Sequence, residues 1–159
     1  MHFHEEEHRL ALETRKKYRG TASVKLEVLH FTCEEDAENV TRLKHFFRKN
    51  GCNRLDIRNH IPAVINQEQL DIAIQYSKIS ANALMASSPT DPRGSYPMLS
   101  FPPGFRLKCL HGLDRVRAGA DILPPGDKHW IVDLYLEGRT NILCMCYSRL
   151  IPFSSRPQP

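Results

Sequence analysis

Residues 106 to 119 read Arg-Leu-Lys-Cys-Leu-His-Gly-Leu-Asp-Arg-Val-Arg-Ala-Gly and gather more side chains capable of site chemistry than any other stretch. The pattern predicts a strand running into a turn at Gly112, then a helix that opens with Arg115. The first N–H groups of a helix have no intrahelical acceptor, and they sit at the positive end of its dipole. Such a turn can therefore hold a phosphate. The candidate ligand-binding residues are Gly112, Arg115, Arg117, His111 and Asp114. Arg106 to Arg117 holds four basic residues and one acidic residue. A solvated basic face has the same composition, with Gly112 only turning the chain and Arg115 pairing with Asp114, Asp121 or Asp133.

Other residues offer chemistry at lower density. Cys109 and His111, two apart on a strand, share a face as a pair of metal ligands does, and so do Cys144 and Cys146. That gap is not the two-residue spacing of zinc sites, and reduced thiols packed as small apolar groups explain it equally; no metal site is assigned. Histidine titrates near neutrality, so His60 can act as an acid or base, or it can bond a backbone group and fix its loop. Asp133 suits a metal ligand or catalytic carboxylate, or an outward-facing strand position. Trp130 and Tyr135 can stack a base or pack in the core.

The elements that must position these groups follow from the pattern. Residues 1–20 form a charged leader with at most a short helix, in which Leu10 and Leu12 give little anchorage. Arg15, Lys16, Lys17 and Arg19 there can touch an acidic partner. Val24, Leu26 and Val28 alternate as a half-buried strand does. Thr32-Cys33-Glu34-Glu35 reads as a capping box for a helix that buries Ala37, Val40, Leu43, Phe46 and Phe47 and ends at Gly51. An extended stretch covers 54–65 with Pro62 inside it. Asn66 caps a helix burying Leu70, Ala73 and Ile74, and Ser80 caps a shorter one through Met85. Residues 87–97 are a loop beside the site, a connector or a lid. Strands are expected at 98–101 and 104–110, a helix over 113–122, and a strong strand from Trp130 to Leu136. Residues 21–137 thus make a single domain, and 138–159 an edge strand and disordered tail.

Length and composition set the outer bounds. The chain has 159 residues, 41% hydrophobic and 25% charged, with a net charge of +4. That is an ordinary single domain, and its charge does not by itself call for nucleic acid. The apolar runs fall well short of a membrane span, so no membrane partner is expected. Five cysteines at loose spacing, behind an N-terminus unlike a secretory signal, suggest reduced thiols and an intracellular protein of nucleus or cytoplasm, not a secreted one.

Three pieces in order carry a family resemblance: Tyr18-Arg19-Gly20-Thr21-Ala22, then Arg54-Leu55-Asp56-Ile57-Arg58-Asn59-His60-Ile61-Pro62-Ala63, then Cys109-Leu110-His111-Gly112 leading to Trp130-Ile131-Val132-Asp133-Leu134-Tyr135. Over roughly residues 18–136 the chain resembles an uncharacterised domain family of filamentous fungi, with a tail unlike the family's continuation, as in a truncated or decayed member. The order helix, strand, Gly-x-x-Arg, helix, strand is also similar to the ParB and sulfiredoxin superfamily. That resemblance implies an α+β fold, a small mixed sheet with packed helices, in which Gly112 is the turn glycine, Arg115 the phosphate arginine and Ala118 the small residue against the sheet.

The superfamily resemblance implies a nucleotide ligand or a nucleic-acid partner. Leu113 stands where sulfiredoxins need cysteine, which removes peroxiredoxin repair. Asp114 stands where the box carries a basic or imidazole group, and it repels a nearby phosphate by roughly 1–4 kcal/mol. Either it points away or a metal such as Mg²⁺ bridges it to the ligand. Three functions compete: a phosphate-ligand module without catalysis, which is preferred; a metal-dependent phosphodiesterase using Asp114 and Asp133; and a protein-interaction domain that has lost its ligand.

Overall fold

The computed structural model describes residues 2–86 and 96–137. A helix α1 (His2–Lys17) leads directly into strand β1 (Tyr18–Lys25), followed by the short β2 (Leu29–His30) and helix α2 (Ala37–Asn50). Strand β3 (Ile61–Ile65), helices α3 (Gln67–Ser77) and α4 (Ala81–Ala86), strand β4 (Leu107–Cys109), helix α5 (Leu113–Ile122) and strand β5 (His129–Leu136) complete the order.

The five strands form one mixed sheet in the order β1-β5-β3-β4-β2. β1 pairs antiparallel with β5, β5 parallel with β3, β3 antiparallel with β4, and β4 parallel with β2. The expected α+β class with a small mixed sheet is therefore the observed one. β3 is buried along its whole length, and Trp130, Val132 and Leu134 of β5 are fully buried. Alternation along β5 turns these three side chains to one face. Helices α2 and α5 cover that face: the rings of Phe47 and Trp130 lie 6.2 Å apart, and Trp130 packs over Gly119. A methyl group on Gly119 would fall 2.7 Å from Trp130 Cζ3, so the close approach of α5 to the sheet depends on that glycine. Ala118, the small residue the resemblance implied, is also fully buried.

Several elements differ from expectation. The charged leader is a helix over His2–Lys17: its Glu, Arg, Leu and Ala residues favour helix, Glu5 lies in the first turn, and Arg15, Lys16 and Lys17 complement the last. The capping box at Thr32 does not form. Asp36 is the N-cap of α2, and its carboxylate accepts from the N–H groups of Glu38 and Asn39. Phe46, expected inside, is 38% exposed. The strand from Val24 stops at Lys25, and Leu26–Val28 form a 3-10 turn. Only Leu107–Cys109 of the two strands expected near 98–110 is a strand, because its neighbours β2 and β3 reach only that far. Phe101 and Phe105 stack instead, with centroids 4.6 Å apart.

Local signals held where the partner is close in sequence. Asn66 accepts from Gln69 N–H at 2.7 Å, and Ser80 Oγ from Ala83 N–H at 3.2 Å. The expected tail at 138–159 and most of the loop at 87–97 lie outside the described residues. Among the described residues no helix is long and apolar enough to cross a membrane.

Candidate functional site

Gly112 is the N-cap of α5 and adopts φ +102°, a left-handed conformation that favours glycine. It sits on β3, where a Cβ would come within 3.0 Å of Ile61 Cγ1. The first bond of the helix runs from Val116 N–H to Gly112 O at 3.1 Å. No side chain caps α5, and among the described residues nothing accepts from the N–H of Leu113, Asp114 or Arg115. The expected strand–glycine–helix turn is present, and its first N–H donors have no acceptor among the described residues.

Asp114 is turned away from those donors. Its Oδ1 accepts from Asp36 N–H at 3.0 Å and its Oδ2 from the Asn39 side-chain amide at 2.8 Å. The carboxylate thus serves the start of α2 rather than the turn, and it ties the two helix N-termini together. This is the arrangement in which an anion at Gly112 does not face Asp114 head-on.

Arg115 is the unusual group. Its Nη1 is buried and has no hydrogen-bond partner, and among the described residues its guanidinium makes no ion pair with Asp114, Asp121 or Asp133. Burial holds its pKa below the ordinary arginine value. Burial also pushes the His111 imidazole down to about 4, with the Arg115 charge as the second cause, so His111 is neutral at physiological pH. A guanidinium nitrogen kept out of water without a partner is costly.

These residues line an open groove of about 690 Å³ between α2 and α5, walled by Cys33, Glu34, Asn39, Arg42, His111 and Asp114 among others. Gly112, His111, Asp114 and Arg115 therefore meet at one place. Arg117 does not join them: it points outward, is 61% exposed, and pairs with Glu35 at 3.3 Å. Asn39 and Arg42, three apart on α2 and bonded to each other, complete the wall and were not singled out from sequence. The i, i+3 spacing on the polar face of α2 was visible, but only tertiary contact shows what that face meets.

A second depression of about 700 Å³, lined by Cys52, Arg54, Asp56, Leu123 and His129 among others, is similar in size and different in charge. Arg54 there is spent on Asp127 and on two backbone carbonyls. The groove at Gly112 is distinguished by the unpartnered arginine nitrogen in its wall, not by its volume.

The other candidates take structural roles. His60 is 5% exposed. Its Nδ1 lies 3.1 Å from Asp133 Oδ1, and its Nε2 lies 3.3 Å from Leu55 O. Thr21 donates to the same Asp133 oxygen at 2.7 Å, and the Tyr18 hydroxyl bonds Thr21. This chain staples β1, β5 and the segment before β3. Trp130 is core, with its Nε1 donating to Asn59 O at 2.8 Å. Tyr135 packs on Tyr18, with ring centroids 5.6 Å apart. Asp133 alternates with Trp130 and so faces away from α2 and α5, on the side of the sheet opposite Asp114; the two carboxylates do not form one site.

Cys109 is buried, its thiol pushed up to about 12 by that burial, and its sulfur contacts Leu107 O. Among the described residues no group of three or more His, Cys, Asp or Glu is placed to hold a metal ion. Cys144 and Cys146 lie outside the described residues.

Residues 17–146 match the family described as the N-terminal domain of a protein of unknown function, DUF3723, and the chain belongs to that family. The match begins at the last residue of α1 and takes in the whole sheet and the groove. No curated protein and no solved structure matches the chain.

Proposed function

We propose that this DUF3723 N-terminal domain is a binding module for a phosphate-bearing ligand, a nucleotide or a nucleic acid, held at Gly112 and Arg115 without chemistry of its own. The Arg115 guanidinium, whose buried Nη1 lacks a hydrogen-bond partner, carries this reading. Unpaired N–H groups at the start of α5 and the turning away of Asp114 support it. Arg115 supplies charge and a planar donor set suited to phosphate oxygens. The α5 amides supply uncharged donors, and neutral His111 flanks them. Arg117 takes part only if its exposed pair with Glu35 opens, which costs little at the surface.

We further place the domain near the ParB and sulfiredoxin-like proteins, on the Gly-x-x-Arg turn that opens α5 after β4, and in the nucleus or cytoplasm of a fungal cell. The free cysteines at positions 33, 52 and 109 suit a reducing compartment.

Calorimetric titration with inorganic phosphate, CTP, ATP and short DNA tests the binding. Saturable heat is expected, lost in Arg115→Ala. Absence of heat at millimolar ligand would remove the proposal.

A further inference from the structure

We infer that a single-stranded nucleic acid docks along the solvent face of α2, with its backbone on the cations of that helix and a base on Phe46; this rests on the phosphate reading above and names its ligand. Arg42, His45, Phe46 and Lys49 stand at i, i+3, i+4 and i+7, and all four are exposed. Residues at that spacing share one stripe of a helix. Arg48 flanks the stripe and is exposed as well. From Asn39 to Asn50 the helix carries no acidic residue. Lys44 is turned towards α5, where it pairs with Asp121. Arg48 and Lys49 make no ion pair among the described residues.

Basic residues in a last helical turn complement the dipole, which accounts for Arg48 and Lys49. It does not account for Arg42, about two turns before the end, or for the Phe46 ring, 38% exposed. Val40, Leu43 and Phe47 already bury the inner face of α2, so Phe46 is not needed to hold the helix down. The Phe46 and Phe47 rings meet edge to face with centroids 6.4 Å apart. That contact holds the Phe46 ring at the surface, one turn from Arg42 on one side and from Lys49 on the other.

Phosphates match the cations, and an unpaired base offers a flat face to the ring. An acidic peptide meets the cations and gives Phe46 nothing to stack on. A bilayer surface asks for an apolar stripe, and Phe46 is the single large apolar side chain exposed on α2. A duplex keeps its bases stacked on one another, away from the ring. Glu38 stands on the same stripe one turn before Arg42, so the strand lies over the C-terminal half of the helix. Arg42 to Lys49 covers about 10 Å of helix axis, room for about three phosphates at the spacing of a DNA strand. Arg42 also walls the groove at Gly112, so the stripe runs on from the proposed phosphate position.

Fluorescence anisotropy with a labelled oligo(dT) 12-mer tests this, with thymidine monophosphate, a 12-base-pair duplex and a twelve-residue oligoglutamate as competitors. The 12-mer is expected to bind more tightly than all three. Phe46→Leu is expected to weaken the 12-mer about ten-fold, the loss of one stacked base. Phe46→Trp should retain the affinity, and neither substitution should change binding of the monophosphate. Between about 50 and 200 mM salt, Lys49→Ala should make the dependence of log affinity on log salt shallower by about 0.7; this exposed position carries the test should Phe46→Leu misfold. A 12-mer no tighter than the monophosphate, the duplex or oligoglutamate overturns the inference and leaves the phosphate reading standing. So does a 12-mer affinity that a folded Phe46→Leu variant leaves unmoved, or a salt dependence that Lys49→Ala leaves unmoved. Absence of binding by monophosphate and 12-mer alike removes the phosphate reading itself, and this inference with it.

Discussion

Arg115 holds a buried guanidinium nitrogen without a partner, a state that weakens the empty protein. Arg115→Met keeps the length of the apolar stem and removes the charge. It is expected to stabilise the fold by about 1–3 kcal/mol, read as a melting temperature raised by about 2–4 °C per kcal/mol, while abolishing phosphate binding. A lowered melting temperature would mean that the guanidinium is well served where it lies. His111 gives a pH prediction of definite sign. Its pKa falls from 6.5 to about 4, with burial the larger cause and Arg115 the smaller. The unfolded chain then binds this proton more readily than the folded one. The stability that comes from keeping His111 neutral is whole above pH 6.5 and drains as pH falls towards 4, at most about 1.4 kcal/mol per pH unit. Urea unfolding at pH 7 and pH 4.5 should show a larger loss in the native protein than in His111→Gln; equal losses would contradict the assignment. The types and spacing of Gly112, His111 and Arg115 were readable in the sequence. The burial that gives them these properties was not, because it comes from α2 and β3, distant in the chain.

At the scale of elements the joint between α2 and α5 decides the shape of the groove. Asp114 bonds Asp36 N–H and Asn39, and Asp114→Ala leaves both without an acceptor. A loss of about 1–3 kcal/mol is expected, together with weaker phosphate binding as Asn39 and Arg42 move from Arg115. Asp114→Asn, which keeps one oxygen acceptor, should recover part of both in urea titration and calorimetry. Gly119→Ala tests the other contact of α5. Alanine favours helix by about 1 kcal/mol, yet its methyl would sit 2.7 Å from the Trp130 ring. Overpacking of that kind costs about 1–3 kcal/mol, so a net fall in the urea midpoint is expected. A rise would show that α5 can lift away from the sheet freely. The caps at Asn66 and Ser80 were legible because each bond closes within three residues. The Thr32 box failed because Asp36 offers a carboxylate two residues from Glu38 and three from Asn39, and Asp114 takes its N–H.

Across the whole molecule, protection should follow the sheet. β3 and β5 are parallel neighbours at its centre with the most buried side chains, whereas α1 is largely exposed. Amide hydrogen exchange is expected to be slowest at Ile61–Ile65 and Trp130–Leu134 and fastest in α1, since opening free energies follow burial and bonding. Comparable protection in α1 would mean that the helix docks on a further surface. The same gradient orders the thiols: exposed Cys33 should react with a thiol reagent in the native protein, and Cys109, buried with its pKa raised to about 12, only on unfolding.

The chain alone determined whatever its local periodicities express: a mixed α+β domain, the strand at Trp130–Leu136, two of the helix caps, and a glycine turn opening a helix with arginine. Those features depend on residues within a few positions of one another, where backbone geometry and side-chain alternation act directly. Tertiary structure decided the rest. It set Asp114 against α2, left Arg115 with a buried, unpartnered nitrogen beside the groove, moved Arg117 onto Glu35, and separated Asp133 from Asp114 by the thickness of the sheet. Each outcome depends on which distant surfaces meet, and packing of α2 and α5 on one face of β5 settled that.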